Sequence, residues 1–327
     1  MSDHHILLTI DVEDWFQVEN LRAWNPPEAW PERELRVETS TLRVLDLLDA
    51  LSHQQQIPKG LEMAPDRECQ GPSARGKEVT RTSNELLKIQ ATFFVLGWVA
   101  RRCPDLIREI RHRGHEVASH GVSHRLCADM SCQELERDLR ESKQLLEDIT
   151  NLEVLGYRAP SFSISESVLK RIQQAGYRYD SSYNSFALHH RYGKVDFQNP
   201  DSCSGVAIQA GDSLFEIPIS NLILGGKVVP WGGGGYFRLL PFPLFRWGVD
   251  KILRSDGCYV FYLHPWEFDP EQPRVQDISW PLGFRHYVNL DKTETKLKKL
   301  IASFGRCRFA SCREYLRDLG LLGKTEE

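Results

Sequence analysis

The chain has 327 residues, of which 41% are hydrophobic and 26% are charged, and its formal net charge at pH 7 is -4. These proportions are typical of a globular protein that can bury a large core, and α/β barrels of about 250 residues often form a single domain. A mildly acidic chain has no electrostatic attraction for nucleic acid, so we expect no nucleic-acid partner.

The amino terminus and the cysteines predict a cytoplasmic protein. Residues 1–6 lack the basic segment and the long apolar stretch of a signal peptide. No window of about 18 uninterrupted apolar residues occurs, so we expect no transmembrane segment. The eight cysteines are scattered and form no dense disulfide pattern, which indicates reduced thiols.

The first predicted strand, Ile6 to Ile10, is wholly apolar and suits a parallel strand that is buried on both faces. It is followed at once by three carboxylates, Asp11, Glu13 and Asp14. Such residues can be helix caps or loop charges. Parallel α/β folds, however, place their chemistry where strands end, so we interpret them as part of a catalytic edge.

A helix and an insertion follow. Residues 40–48 have the serine cap and the spacing of an amphipathic helix. Residues 54–90 are polar, contain three prolines and show little periodicity. This composition predicts a flexible surface insertion that does not carry the core function.

A pair of histidines follows the third predicted strand. Residues 91–96 predict a second buried strand, Pro104 begins a helix, and residues 115–119 predict the third strand. His120 and His124 come next, and a helical turn there would put both imidazoles on one face. Two such imidazoles are a common start of a metal site, although a surface pair or a capping pair has the same spacing.

Strands and helices alternate through the rest of the chain. The remaining predicted strands are 154–158, 177–180, 214–218, 258–264 and 306–310, and the remaining helices are 131–145, 165–174, 293–304 and 311–319. This alternation predicts a parallel β/α array, and polar residues at the strand ends favour a barrel over an open sheet. The glycine run at 231–238 lacks the Lys-Ser/Thr of a phosphate loop, so we expect a flexible loop near the mouth, together with Gly225, Gly226 and Pro230.

The predicted strand ends supply the parts of a metal-assisted hydrolase. An ion held by two imidazoles and one carboxylate polarises a carbonyl and lowers the pKa of bound water to roughly 7. A second carboxylate can take the proton of that water, and a protonated histidine can donate to a leaving amine. The candidates are Asp11 as base, kept ionised by Arg158, and His264 as acid, with Asp180 raising its pKa. Taken alone, Arg158 could be part of a surface ion pair, His264 a core histidine and Asp180 a turn residue.

The order of these motifs resembles the polysaccharide deacetylases of carbohydrate esterase family 4, which share the NodB-homology domain. The resemblance covers residues 5–270 apart from 54–90, and its motifs are Asp11 to Asp14, Ser119 to His124, Arg158 to Pro160, Asp180 to Ser182, and Leu263-His264. The amino-acid sequences of residues 11–16, 235–241 and 264–270 are similar to those of a bacterial branch of this family found with exopolysaccharide and exosortase loci. That branch is related to allantoinase-like and peptidoglycan-deacetylase enzymes without a signal peptide.

The resemblance implies a single-domain α/β fold over residues 1–327, a distorted (β/α) barrel with about seven parallel strands. It implies hydrolytic removal of acetyl from an N-acetylated sugar. By motif, the general base is Asp11, its orienting arginine is Arg158, the acid is His264 and the partner of the acid is Asp180. The metal ligands are His120 and His124, and the substrate-binding residues are Leu263, Pro160, Trp266 and Tyr236.

Two positions depart from the family pattern. The adjacent Asp-Asp of the first motif is replaced, so the third ligand is Asp14 or Glu13, and we prefer Asp14 for its compact reach. Ser161 stands in place of the usual Tyr, where a backbone N–H could still stabilise an oxyanion. The expected cofactor is a divalent metal, zinc first, with cobalt, nickel or manganese as alternatives.

The hypothesis is therefore a metal-dependent N-deacetylase that acts on an amino-sugar polymer or its lipid-linked precursor. One alternative is a cyclic-amide hydrolase of the allantoinase type, which would be expected to lose the metal histidines or the first aspartate that this chain keeps. Another is a catalytically silent carbohydrate-binding protein whose aromatic side chains stack on sugars. The oligomeric state is not predicted.

Overall fold

A computed structural model describes residues 4–54, 88–186, 193, 195, 197 and 204–323. Apart from its first and last few residues, the predicted insertion at 54–90 lies outside the described residues. Among the described helices, none combines the length and the apolar character needed to cross a membrane.

Eleven strands are present in the described part of the chain. They are β1 (His5–Val12), β2 (Ala91–Val95), β3 (Glu116–Ser119), β4 (Gly156–Tyr157), β5 (Tyr179–Asp180), β6 (Ile208–Gln209), β7 (Phe215–Glu216), β8 (Asn221–Leu224), β9 (Lys227–Pro230), β10 (Cys258–Leu263) and β11 (Arg308–Phe309). Nine of them form one sheet in the order β10-β1-β2-β3-β4-β5-β7-β6, with β11 also paired to β1. All pairs in this sheet are parallel except β6 with β7, which confirms the predicted parallel array.

The sheet curls into a distorted barrel that does not close through a regular ladder. Single backbone hydrogen bonds join its two sides: Ser220 N–H donates to Val260 O at 3.3 Å, and Tyr262 N–H donates to Gly232 O at 2.8 Å. The predicted distorted (β/α) barrel is therefore confirmed.

Ten α-helices accompany these strands in the described residues. They are α1 (Val37–Gln54), α2 (Gly97–Arg102), α3 (Pro104–His112), α4 (Cys132–Thr150), α5 (Glu166–Gln174), α6 (Gly234–Leu239), α7 (Phe242–Asp256), α8 (Trp280–Tyr287), α9 (Thr293–Ser303) and α10 (Cys312–Asp318). Ser131 and Ser165, the first residues of two predicted helices, accept backbone N–H groups at the starts of α4 and α5. Sequence analysis did not identify α7.

The two faces of the sheet carry different cores. Ile6, Leu8 and Ile10 of β1 pack with side chains of the outer helices. Leu7 belongs to a second buried cluster on the inner face. Because successive side chains of a strand point to opposite faces, Asp11 shares the inner face with Leu7. The strand therefore delivers a carboxylate into the barrel at its carboxyl end.

The segment around Gly225 and Gly226 is a hairpin, so the expected flexible loop is wrong there. The strands β8 and β9 pair in an antiparallel ladder from Asn221↔Pro230 to Leu224↔Lys227. Both glycines have positive φ, 55° and 76°, as a tight two-residue hairpin turn requires.

Candidate active site

A cavity of about 130 Å³ opens at the carboxyl ends of the parallel strands. This is the edge at which parallel α/β folds bind ligands. Four strands, β1, β3, β4 and β10, contribute polar side chains from their last residues or from the segments that follow them. The ionisable side chains in its lining are Asp11, Glu13, Glu19, His120, His124, Arg238, His264, Glu267, Arg285 and His286, with Tyr262 beside them.

Glu13, His120 and His124 form a buried cluster that can hold a metal ion. One ligand atom from each lies within 4.8 Å of the others. The Nε2 of His124 is 2.8 Å from Oε2 of Glu13, yet this oxygen has no well-oriented hydrogen-bond partner in the described structure. Two imidazoles and one carboxylate are the ligand set of a catalytic zinc site with open positions. The residues present therefore fit a divalent metal.

Asp14, the preferred third metal ligand, accepts backbone hydrogen bonds instead, so this preference needs correction. Its Oδ1 accepts the N–H of Trp15, and its Oδ2 accepts the N–H groups of Arg36 and Val37, all at 2.8 Å. The carboxylate thus caps α1, because the first N–H groups of a helix have no partner within the helix. Burial raises the pKa of Asp14 to about 6. Glu13, the alternative, is the carboxylate that lies beside the imidazoles.

His120 presents one defined nitrogen to this cluster. Its Nδ1 lies 2.8 Å from the carbonyl oxygen of Arg158. A carbonyl only accepts hydrogen bonds, so Nδ1 carries the proton and Nε2 keeps its lone pair for a ligand. Burial lowers the pKa of His120 to about 4, although Asp11 and Glu13 act in the opposite direction. The side chain is therefore neutral at pH 7, as a metal ligand must be.

A loop, and not the expected helical turn, brings His124 back to His120. Gly121 has φ +74° and His124 has φ +53°, so the chain reverses between them. The imidazole centroids are 5.3 Å apart. Asp138 of α4 stabilises the loop, since both of its carboxylate oxygens lie 3.1 Å from the N–H of Val122. Sequence analysis missed Asp138, and no local pattern marks it.

The cluster controls the charge of Glu13. Burial raises the pKa of this carboxyl, but the facing imidazoles of His124, His264 and His120 outweigh burial and lower it to about 2. Glu13 is therefore ionised, and its Oε1 lies 3.2 Å from Nε2 of His264.

Arg158 lies beneath Asp11 and is fully buried. One guanidinium nitrogen donates to Oδ1 of Asp11 and to Oγ1 of Thr9, both at 2.7 Å. The other two donate to the carbonyl and the hydroxyl of Ser181 at 2.8 Å. Each guanidinium nitrogen thus has an acceptor, which holds Arg158 and its ion pair with Asp11 in one orientation.

Glu267, which sequence analysis did not single out, is the partner of His264. Its Oε1 lies 2.9 Å from Nδ1 of His264, and its Oε2 accepts a hydrogen bond from Nε of Arg238 at 2.7 Å. Burial lowers the pKa of His264, but Glu267 and then Glu13 outweigh it and raise the pKa to about 9. A local signal existed: in His264-Pro265-Trp266-Glu267, the proline and the glutamate three residues after the histidine are typical of a helical start.

Asp180 does not contact His264, so its predicted role as partner of the acid needs correction. Tyr179 belongs to the inner cluster, and the next side chain therefore points to the opposite face of β5. There Asp180 accepts the hydroxyl hydrogen bond of Ser182 at 2.8 Å and lies across the ladder from Glu216. Burial raises the pKa of both carboxyls, and the charge of Asp180 raises that of Glu216 further.

Of the four predicted substrate-binding residues, Trp266 lines the cavity, whereas Leu263, Pro160 and Tyr236 are not among its lining residues. Leu263 packs in the outer cluster because strand alternation turns Tyr262, its neighbour, toward the cavity. Ser161 also lines the cavity, with φ +51°.

The glycine run forms a close-packed wall of the site, and the expected flexible loop is wrong. Gly232, Gly233 and Gly234 are buried, and α6 begins at Gly234. A Cβ on Gly234 would lie 2.2 Å from both carboxylate oxygens of Glu267. The missing side chain is therefore what lets the backbone approach Glu267.

Two family models match consecutive parts of the chain. The model described as Polysaccharide deacetylase matches residues 70–179, and the one described as Domain of unknown function (DUF3473) matches residues 181–317. The boundary between them falls inside the continuous sheet, because β5 pairs with β7. The two matches thus describe one structural unit.

Curated relatives match over shorter segments. A peptidoglycan-N-acetylglucosamine deacetylase of Bacillus cereus is 33% identical over 91 residues, which cover 28% of this chain and 42% of that protein. A chitooligosaccharide deacetylase of Sinorhizobium fredii is 33% identical over 90 residues, covering 27% of this chain and 42% of that protein. The chain thus spans about two fifths of the length of these relatives.

Solved structures share the fold over nearly the whole chain. A Mycobacterium smegmatis protein assigned as a polysaccharide deacetylase has a TM-score of 0.59 at 18% identity, covering 99% of this chain and 95% of that one. The structure of Puue allantoinase has a TM-score of 0.52 at 14% identity, covering 96% of this chain and 89% of that one. At these identities the likeness concerns the fold alone. Residues 70–179 thus match the polysaccharide deacetylase family and the two curated relatives are named as deacetylases, so this is the family that the chain resembles.

Proposed function

We propose that this protein is a metal-dependent hydrolase that removes N-acetyl groups from an amino-sugar polysaccharide or its lipid-linked precursor. One observation carries the proposal: Asp11 and His264, each held by a buried partner of opposite charge, line the same cavity as the cluster of Glu13, His120 and His124. The relatives named for deacetylation of peptidoglycan and chitooligosaccharides support the choice of substrate.

Glu13, His120 and His124 would hold the metal. A divalent ion there would supply Lewis-acid polarisation of the amide carbonyl and make water more acidic. Zinc is our first choice because two imidazoles and one carboxylate suit it, and cobalt, nickel and manganese are alternatives.

The protein side chains carry the proton transfers. Asp11, held by Arg158, takes a proton from the attacking water. As the C–N bond breaks, His264 gives the proton on Nε2 to the departing sugar nitrogen, while Glu267 accepts the N–H at Nδ1 and fixes the ring. Water is thereby added across the amide, and the products are acetate and a free amino sugar.

We further propose that the protein works in the cytoplasm. Five of the six described cysteines, Cys103, Cys127, Cys258, Cys307 and Cys312, are buried free thiols. Burial raises the pKa of Cys127 to about 12, which keeps its thiol protonated and unreactive. This supports a compartment in which thiols stay reduced.

The test combines metal analysis with acetate release from N-acetylglucosamine oligomers. We expect the purified protein to hold about one metal per chain, H120A to lose it, and D11N to keep it while acetate release falls by about 10²-fold or more. H264A should lose activity on the amide but keep it on p-nitrophenyl acetate, whose leaving group departs without a proton. E267Q should behave like H264A.

Three results would reject the proposal. The first is a protein that holds no metal in either the parent or H120A. The second is binding of the oligomers in EDTA without acetate release under any metal, which would favour the silent carbohydrate-binding protein. Turnover of a cyclic amide such as allantoin, with no acetate from any sugar, would favour the small-molecule hydrolase.

A further inference from the structure

Two carboxyl groups are buried side by side on the outer face of the sheet. Asp180 and Glu216 are both fully buried and lie opposite each other in the parallel pair β5–β7. Tyr179 and Phe215, the residues before them, belong to the inner cluster, so strand alternation turns both carboxyls to the outer face. We name Asp180 and Glu216 the buried carboxyl pair.

The pair shares one backbone donor. The N–H of Ser182 lies 3.2 Å from Oδ2 of Asp180 and 3.1 Å from Oε1 of Glu216. Within the described part of the chain, no cationic side chain forms an ion pair with either carboxyl, because Arg158, whose charge acts on Asp180, is paired with Asp11. Two buried carboxyls so close together cannot both be ionised at an acceptable cost, so they hold one proton between them.

The hydrogen bonds around the pair indicate where this proton lies. Both oxygens of Asp180 have donors, since Oδ1 accepts the hydroxyl of Ser182 at 2.8 Å and Oδ2 accepts its N–H. In Glu216, Oε1 accepts the N–H groups of Ser182 and Tyr183, whereas the buried Oε2 has no donor. The two carboxyls are within hydrogen-bonding reach of each other. A proton on Oε2 of Glu216 therefore satisfies this oxygen by donating to Asp180.

The pair is connected to Arg158 through two serines. The hydroxyl of Ser182, which donates to Asp180, also accepts the N–H of Ala159 at 2.8 Å. Ser181, which lies between Asp180 and Ser182 in the chain, supplies the carbonyl and the hydroxyl that accept from the guanidinium of Arg158. The pair thus holds both the backbone next to Arg158 and the acceptors of its side chain.

We propose that Asp180 and Glu216 share one proton and act together as positioning residues, which hold Ser181 and Ser182 so that Arg158 keeps the base Asp11 in place. This inference rests on the proposed deacetylase function and adds Glu216 to its machinery. Neither carboxyl lines the cavity, so neither contacts the substrate.

The first test compares E216A with its conservative counterpart, E216Q. With N-acetylglucosamine oligomers, E216A should lower kcat about tenfold or more and leave KM and metal content unchanged, because a displaced base slows the reaction without changing the cavity lining. E216Q should keep most of the parent kcat, since its amide N–H can donate to Asp180 as the acid O–H does. Parent-like kcat in E216A, or equal losses in E216A and E216Q, would overturn the proposal.

The D11N background separates positioning from a general structural effect. Residues that act through one base have non-additive effects, so E216A should cause no further loss of acetate release once Asp11 has been replaced. The same tenfold loss in the D11N background would overturn the positioning role.

The shared proton is tested by urea unfolding in EDTA between pH 5 and pH 7. Burial and the charge of Asp180 raise the pKa of Glu216 well above 4.5, so the folded parent keeps a proton that the unfolded chain releases. The unfolding equilibrium constant of the parent should therefore rise about tenfold per pH unit relative to E216Q. Arg158 and Cys127, which face the pair, are the same in both proteins. Identical pH dependence of the two proteins would overturn the shared proton.

A readout without turnover separates this inference from the proposed reaction. The Nε–H of Arg158 donates to the carbonyl of Ser181 at 2.8 Å, and its exchange with water can be followed by NMR. Faster exchange in E216A than in the parent and E216Q would support the positioning role even if no protein releases acetate, and equal exchange would reject it. If E216A does not fold, S182A, which removes the link between Asp180 and Ala159, takes its place in each comparison.

Discussion

Two neighbouring carboxylates that follow β1 have different roles. Glu13 lies among imidazoles, whereas Asp14, the next residue, accepts three backbone N–H groups. Carboxylate chemistry is the same at both positions, so the sequence could not assign the ligand. Only the direction of the chain after Val12 decides which oxygen meets the histidines.

This division predicts different effects for two alanine substitutions. E13A should lose most of the bound metal, and in the metal-free protein it should lower the free energy of unfolding because the facing imidazoles lose their counter-charge. D14A should keep the metal site but lower that free energy by about 1–2 kcal/mol, because a helix loses its cap. Metal analysis and urea unfolding in EDTA measure the two quantities. Metal loss confined to D14A would reverse the assignment.

At the scale of elements, local signals were sufficient where a cap lies next to its helix. Ser131 and Ser165 begin α4 and α5 as predicted. The start of α1 was predicted at Ser40 but lies at Val37, because its cap, Asp14, comes from a distant part of the chain. The glycine run was misread for a similar reason: its flexibility is removed by contacts with Glu267 and Tyr262, which follow much later in the sequence.

The start of α6 offers a matched pair of glycines. An added Cβ at Gly234 would collide with the carboxylate of Glu267, whereas at Gly235 nothing lies within 4 Å. G234A should therefore lower both stability, by about 2 kcal/mol, and acetate release, since Glu267 must move away from His264. G235A should be neutral or stabilise by up to about 1 kcal/mol, as alanine does in a helix.

Urea unfolding and acetate release, measured for both variants, test this explanation. Equal effects of G234A and G235A would contradict it, because they would indicate a general intolerance of side chains at the start of α6. Normal activity in G234A would show that Glu267 is not held by this contact.

At the scale of the whole molecule, alternation of strands and helices was enough to predict the barrel and the edge at which polar residues collect. It could not predict which of these residues face inward. Asp180 and Leu263 are both at strand ends, yet each points away from the cavity because its neighbour in the strand points inward. Register across short strands such as β5, with two residues, is fixed by tertiary pairing that periodicity does not reveal.

The opposite end of the barrel contains a histidine that should make stability depend on pH. His115 precedes β3, is 6% exposed, and its Nδ1 accepts the N–H of Ala91 at 3.3 Å. Burial lowers its pKa from 6.5 to about 4. Between these values the unfolded chain binds a proton that the folded protein does not bind, so stability falls as the pH drops from 6.5 toward 4.

Removal of this imidazole should therefore make the free energy of unfolding depend less on pH in the acidic range. His115→Asn keeps a side-chain acceptor near Ala91 but cannot titrate, so at pH 7 it is expected to be less stable than the parent. Between pH 7 and pH 5 the parent should lose about 2 kcal/mol more than the variant in urea unfolding. His286, whose pKa burial lowers to about 3, is present in both proteins and cancels in the comparison. A stability difference that stays the same at both pH values would show that His115 titrates alike in the folded and unfolded chains, which would contradict its burial as a neutral group.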